Sequence, residues 1–337
     1  MQVKRTLPIN FIENDRDLFN HELEIKIGNP KIHSLKNVYI RKNKFYRFNL
    51  FEFKSQLWKM SAYTFSVKIK VFIKNLLFKN FSKKVDYEII ENGLWVIDEK
   101  SSMYFHWMLD SLQRLELFKI TINNNNSIKL LLPESFYDSP FVKMSLDIYN
   151  IETKILKKDV TYKVSNLIVP NHLANSGNFN PKITNLIRKR YLDYLSSLSP
   201  NVKSSKKIWI TRQNARFRKI TNFDEIKDIL IQNNFDIHDF DKTEYLDQLK
   251  IVSNAEVIGS IHGAGLSNML LMTSGKKVIE VRAQNDNHNN CYFSLASALD
   301  LSYYYFLASV DNIDGNYHSS DYHLDKNKFM NFLKKIA

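Results

Sequence analysis

From residue 206 onward the chain alternates short apolar β-rich runs with amphipathic stretches of about ten residues, and this rhythm restricts the fold more than any other feature. Residues 207–210 precede a helical pattern over 223–233, and 235–240 precede one over 244–253. Residues 256–259 precede 264–272, residues 277–281 precede 291–299, and a last strand-like run covers 303–307. Strands alternating with helices build βαβ units on a parallel sheet, so this half predicts a doubly wound α/β domain. Ligands of such sheets bind beyond the carboxyl ends of the strands. That rule singles out residues 211–219, 239–243, 260–265 and 282–288.

The first 200 residues are less regular. Short β-like runs stand at 37–40 and 87–90, and residues 93–98 read as a buried strand. A helix capped by Ser101 or Ser102 follows, with Phe105, Met108, Leu109, Leu112 and Leu115 as its apolar stripe. Residues 123–126 form a polar turn, 128–132 a compact strand, and 181–198 a long amphipathic helix. The Ser- and Pro-containing stretch 199–205 is the best linker, which predicts an N-terminal lobe over 1–199 and a C-terminal lobe over 206–337. No internal repeat is visible.

Composition narrows the class. Hydrophobic residues at 44% and charged residues at 25% fit a folded globular protein and exclude a mainly disordered chain. A single cysteine, Cys291, excludes an intramolecular disulfide and a Cys-based zinc site, and suits a reducing compartment. Lys and Arg total 48 against 35 Asp and Glu, a net charge of +13, which points to an anionic partner. No nucleic-acid-binding signature accompanies that charge, so nucleic acid is not an expected partner. Between Lys54 and Lys84 eight lysines occur without one acidic residue. There Ile69, Phe72, Ile73, Leu76 and Leu77 share a helical face, as in a basic helix lying on an anionic membrane or packed on its own domain. No apolar stretch reaches spanning length and the N-terminus lacks a signal-peptide core, so the expected location is cytoplasmic, at the inner membrane face if that helix binds lipid.

Four segments carry chemistry. Gly259-Ser260-Ile261-His262-Gly263-Ala264-Gly265-Leu266-Ser267-Asn268 leaves a strand and opens a helix, where small residues and free N–H groups suit phosphate. The loop after the first strand of the same sheet holds Arg212, Arg216, Arg218 and Lys219, and guanidinium forks suit phosphate oxygens. His106, Asp110 and Arg114 are spaced by four on one helical face, either as a general-base pair or as an ion-pair ladder. Glu280 stands at a strand tip, where a carboxylate either binds a ribose diol or pairs with Arg282. The Asp239-Phe240-Asp241 triplet reads better as a helix start than as a metal site, and no other residues have metal-ligand spacing.

Taken in order, these segments resemble glycosyltransferase family 61. His106, Trp107, Asp110, Leu112 and Arg114 match its His-Trp-x-x-Asp-x-Leu-x-Arg helix, and Arg212, Arg218 and Asn222 its Arg-rich stretch. His262, Gly263, Ala264, Leu266 and Asn268 match its His-Gly-Ala-x-Leu-x-Asn turn, and Val278, Ile279 and Glu280 the strand after it. Ser260-Ile261 and Leu271-Met272-Thr273 depart from its usual Gly-Pro and Phe-Met-Pro. The resemblance implies a GT-B architecture, two Rossmann-like lobes with parallel sheets facing a central cleft. It implies inverting transfer from a nucleotide sugar, usually a uridine diphosphate sugar, to a glycan or lipid-linked acceptor in capsule or surface polysaccharide synthesis. Asp110, with His106 as neighbour or substitute, is then the expected base. Arg212, Arg218, His262, Gly263, Ala264, Gly265, Asn268 and Glu280 would hold the donor, and His262 would assist the leaving diphosphate. Trp107 and Arg114 fall on the acceptor side. No cofactor or metal is expected. A pyruvyl transferase of similar fold and a non-catalytic basic membrane-surface protein are the competing readings.

Overall fold

The computed structural model describes residues 1–41, 44–46, 86–122, 127–198, 206–284, 286–311, 317 and 319–336. The basic segment 54–84, the linker 199–205 and the turn 123–126 lie outside the described residues. In chain order the strands are β1 (Gln2–Lys4), β2 (Glu24–Lys26), β3 (Ile32–Arg41), β4 (Lys44–Tyr46), β5 (Tyr87–Leu94), β6 (Lys129–Pro133), β7 (Thr153–Leu156) and β8 (Thr161–Pro170). They continue with β9 (Lys207–Ile210), β10 (Phe235–His238), β11 (Val257–Ile261), β12 (Lys277–Ala283), β13 (Ser302–Val310) and β14 (Tyr322–His323).

The chain divides into two compact units, one of residues 28–176 and one of residues 1–27 with 177–337. This division differs from the expected boundary at 199–206. The helix Pro181–Ser197 belongs to the second unit because Arg188 donates to the carbonyls of Met272 and Leu299, at 3.0 and 2.9 Å. The first residues belong there because Ile9 N–H donates to Tyr303 O and Asn10 bonds the backbone of Tyr305. Backbone pairing of this kind carries no hydrophobic periodicity, so linker composition alone misplaced the boundary.

In the second unit the sheet order is β10-β9-β11-β12-β13-β14, parallel except for β14. Counted within the sheet this is the doubly wound order 2-1-3-4-5 with one antiparallel edge strand. β11 is buried throughout and β12 at every residue after Lys277, as expected where helices cover both sheet faces. The helix Phe223–Gln232 contributes Ile226, Ile229 and Leu230 to the core around Trp209. Gly259 lets that indole approach, since a Cβ there would lie 2.5 Å from Trp209 Cε3. Asn222 brackets this helix start by bonding both backbone groups of Leu324. The helix Pro181–Ser197 starts as its sequence dictates, with Asn180 capping Ile183 N–H and proline at N1.

In the first unit the order is β4-β3-β8-β5-β6-β7. Only β8-β5-β6-β7 is parallel, and the β3–β4 hairpin runs antiparallel at one edge. The expected parallel sheet is therefore mixed. β8, which pairs with both β3 and β5, was not legible as a strand. Ser165 and Asn166 interrupt its buried positions, Tyr162, Val164 and Leu167–Val169. Among the described residues, no helix is long and apolar enough to cross a membrane.

Candidate active site

At a topological switch point neighbouring parallel strands lead away in different directions, and a crevice opens at their carboxyl ends. In the second unit it lies between β9 and β11; in the first the corresponding place is between β5, whose chain runs on to β6, and β8, whose chain leaves the sheet. Both positions carry a histidine hydrogen-bonded to a carboxylate.

After β11, His262 N–H donates to Val281 O at 2.9 Å and so extends the ladder by one residue. Its Nδ1 faces Glu280 Oε1 from β12, and its ring meets the Tyr292 ring edge-on at 5.0 Å. The following turn enters a 3₁₀ helix, Ala264–Leu271, where an α-helix was expected. Its first N–H groups have no partners within the helix, as at any helix start. The loop after β9 brings two cations to this turn. Arg218 Nη1 donates to His262 O at 3.1 Å, and Arg212 lies so close to Gly263 that a Cβ there would stand 2.6 Å from its Nη1. Gly263 is thus required for closeness, its backbone being extended. Arg218 holds φ of 62°, a left-handed conformation that costs a non-glycine residue about 1 kcal/mol or more. Burial first, and then the charge of Arg218, pushes the Arg212 pKa down. Neither Nε has an acceptor among the described residues, and both are buried. The Asp241 charge reaches Arg212 without a hydrogen bond among the described residues, and two guanidiniums so placed suit an anion. Of the other expected cations, Arg216 is exposed over Phe217, and Lys219 bonds Asp321 through its backbone.

Two expected donor-side roles change. Glu280 has no exposed surface, so it cannot meet a ribose diol; its Oε2 accepts from the Tyr303 hydroxyl. Nor does it pair with Arg282 by hydrogen bond; that guanidinium donates to Asn290 Oδ1 and Asp286 O and lies over Phe19. Asn268 is buried, its amide donating to Gly265 O at 3.0 Å, and closes the turn from inside. Ala264 and Gly265 keep partial exposure at the mouth of the turn. In the Asp239–Asp241 triplet, Asp239 Oδ1 accepts the Asp241 N–H and Oδ2 takes the Asn214 amide, a turn where a helix start was expected; the helix begins at Tyr245 with Glu244 at its N-cap. Among the described residues no three His, Cys, Asp or Glu side chains gather as a metal-binding group.

At the β5/β8 switch point the helical segments Tyr104–His106, Trp107–Ser111 and Leu112–Thr121 follow one another, and the middle one is a π turn. π turns widen the helix and recur at functional sites. His106 Nδ1 lies 2.8 Å from Asp110 Oδ2, as the spacing of four predicts. Beyond Asp110 the wider turn ends the stack, and Arg114 leaves the ladder. Its guanidinium has no exposed surface; it donates to Pro170 O and Val96 O at 2.9 Å, with Trp95 O and Ile97 O at 3.4 Å. Arg114 thus ties the carboxyl ends of β5 and β8 together and has no access to an acceptor. Burial pushes its pKa down to about 10 against the pull of Asp98 and Asp110. Trp107 is also fully buried, its Nε1–H on Ser145 Oγ at 3.0 Å, and anchors the helix in the core.

Three residues here had no legible signal. Ser176, after β8, donates to Asp110 Oδ2 at 2.9 Å and lies 3.3 Å from His106 Nδ1. His172, also after β8, has Nε2 3.2 Å from Asp98 Oδ2, poorly aligned for a hydrogen bond. Burial opposes the Asp98 charge, but His172, the Lys100 N–H and Arg114 outweigh it and hold the pKa at about 2. Burial and the Arg114 charge push His172 down. Isolated His, Ser and Asp residues far apart in sequence become neighbours only because β5 and β8 pair. The side chain of His106 is 15% exposed and that of Asp110 5%, so the imidazole is the member that meets solvent. Asp110 holds the proton on Nδ1 and leaves the Nε2 lone pair as the basic site.

A doubly wound unit with two guanidiniums beside its switch point has the topology of α/β proteins whose ligands bind beyond the carboxyl ends of the strands. Residues 104–279 match the family model described as "Glycosyltransferase 61", a little over half of the chain. The chain belongs to glycosyltransferase family 61. Both histidine sites fall within the matched region, and Glu280 stands one residue beyond it. The chain is also similar to the EGF domain-specific O-linked N-acetylglucosamine transferase of Mus musculus, 29% identical over 102 residues. That match covers 29% of this chain and 19% of the mouse protein.

Proposed function

We propose that the chain is an inverting glycosyltransferase that moves a sugar from a nucleotide-sugar donor, a uridine diphosphate sugar, to a hydroxyl of a glycan or lipid-linked acceptor. The observation that carries this reading is the pair Arg212 and Arg218 at the His262–Gly263 turn, with two buried Nε groups that have no acceptor among the described residues. Family membership supplies sugar transfer, and the cation pair supplies a reason for a diphosphate leaving group. In this reading the second unit is the donor-binding half of a GT-B enzyme.

The acceptor hydroxyl attacks the anomeric carbon as the bond from that carbon to the diphosphate oxygen breaks. Its proton passes to His106 Nε2, and the developing imidazolium is balanced by Asp110, itself held by Ser176. This inverts the emphasis expected from spacing, because Asp110 is the more buried of the two. The negative charge on the departing diphosphate meets Arg212, Arg218, His262 and the N–H groups at the start of Ala264–Leu271. We further propose a surface-polysaccharide acceptor and action at the inner face of the cytoplasmic membrane, supported by the net charge of +13.

The test is a nucleotide panel read by thermal stability, with EDTA and with Mg²⁺, followed by product analysis. Uridine diphosphate at 100 times its Kd adds about 2.7 kcal/mol to the stability of the wild type. Arg212→Ala is expected to weaken that binding 10- to 100-fold, the loss of about 1.5–3 kcal/mol from a charge-assisted contact. A chain stabilised by phosphoenolpyruvate and by no nucleotide would instead be a pyruvyl transferase. Transfer with retained anomeric configuration would remove the inverting mechanism.

A further inference from the structure

Glu280 stands within β12 with no exposed surface. Burying a carboxylate costs several kcal/mol unless its oxygens are matched by donors. Here Oε1 faces His262 Nδ1 and Oε2 faces the Tyr303 hydroxyl. Burial, and then the charge of Glu280, raises the Tyr303 pKa well above the usual range, so that hydroxyl keeps its proton and donates. An ionised carboxylate only accepts, so the ring nitrogen facing it must carry hydrogen.

We infer that Glu280, backed by Tyr303, is a positioning residue that holds the His262 ring with hydrogen on Nδ1. Nδ1–H donates to Oε1 whether or not the ring is protonated. Gain or loss of a proton is then confined to Nε2 and does not require the ring to turn. A carboxylate behind a histidine fixes tautomer and orientation in the same way where imidazoles act on substrates or metals. What this fixed ring serves rests on the reading of His262 as a contact to the donor diphosphate; the tautomer itself does not. The strand carboxylate, expected to meet a ribose, thus acts through the histidine 18 residues before it in sequence.

The test is ¹⁵N NMR of the full chain with labelled histidine at pH 9, with His262→Gln to assign the signal. The expected spectrum has a protonated, pyrrole-type Nδ1 and an unprotonated, pyridine-type Nε2 at His262. Tyr303→Phe, which keeps the carboxylate, retains that pattern; Glu280→Leu shifts the ring toward the Nε2–H form that free imidazole prefers. An Nε2–H ring in the wild type overturns the inference, as does an Nδ1–H ring that persists in folded Glu280→Leu. If that variant does not fold, the wild-type spectrum decides alone. A structural role would not move the tautomer. Failure of uridine diphosphate to stabilise the wild type would count against the donor reading and leave the spectrum unchanged.

Discussion

At the β9/β11 switch point a histidine meets a carboxylate with no exposed surface, and two guanidiniums flank the turn. At the β5/β8 switch point a histidine meets an aspartate joined by a serine hydroxyl, and the guanidinium of Arg114 is spent on backbone carbonyls. The same two residue types therefore sit in opposite fields. Two buried Nε groups without acceptors among the described residues leave the first short of negative charge. In the second, Arg114 is balanced by Asp98 and Asp110, and His106 keeps a basic nitrogen toward solvent. In the proposed mechanism, the charge around each pair is what assigns His262 to the anion and His106 to the proton.

The largest effect that would sharpen this comparison is on turnover. His106→Ala is expected to lower kcat about 10²- to 10⁴-fold, the usual contribution of a general base, with uridine diphosphate affinity unchanged. Asp110→Asn should show a smaller loss of the same kind. Equal loss of nucleotide affinity in His106→Ala would break the division of labour.

Next in size is stability. Arg114→Met removes a cation buried among two aspartates and four carbonyls, and should cost about 3–5 kcal/mol in urea unfolding. Arg212→Ala, which has no such partners, should cost far less. Similar losses in both would mean that the two arginines have the same structural role.

The smallest effect is on acid stability. Asp98 has its pKa lowered from 3.8 to about 2, so its contribution is complete above its unfolded pKa and is lost as pH falls toward 2. That is about 2 kcal/mol between roughly pH 5 and pH 2. His172, lowered by burial, acts in the same direction, since charging it as pH falls also disfavours the folded state. Asp98→Asn should flatten this part of the curve of stability against pH, and an unchanged curve would remove Asp98 from the set of groups that anchor the β5/β8 switch point.

Periodicity by itself determined the doubly wound half of this protein. Each strand–helix pair from Lys207 to Val310 was legible, because helices cover both faces of a parallel sheet and every strand but β10 at the edge is a largely apolar run. Local spacing also determined the His106–Asp110 pair and the His262–Gly263 turn, since both are built within one turn of chain. Tertiary structure alone decided the rest. Whether Glu280, Arg114, Trp107 and Asn268 face a ligand or the interior depends on which strands lie beside them, and the packing buried all four. Asp98, His172 and Ser176 joined the site because β8 returns to pair with β5, a contact across some 70 residues that no local pattern encodes.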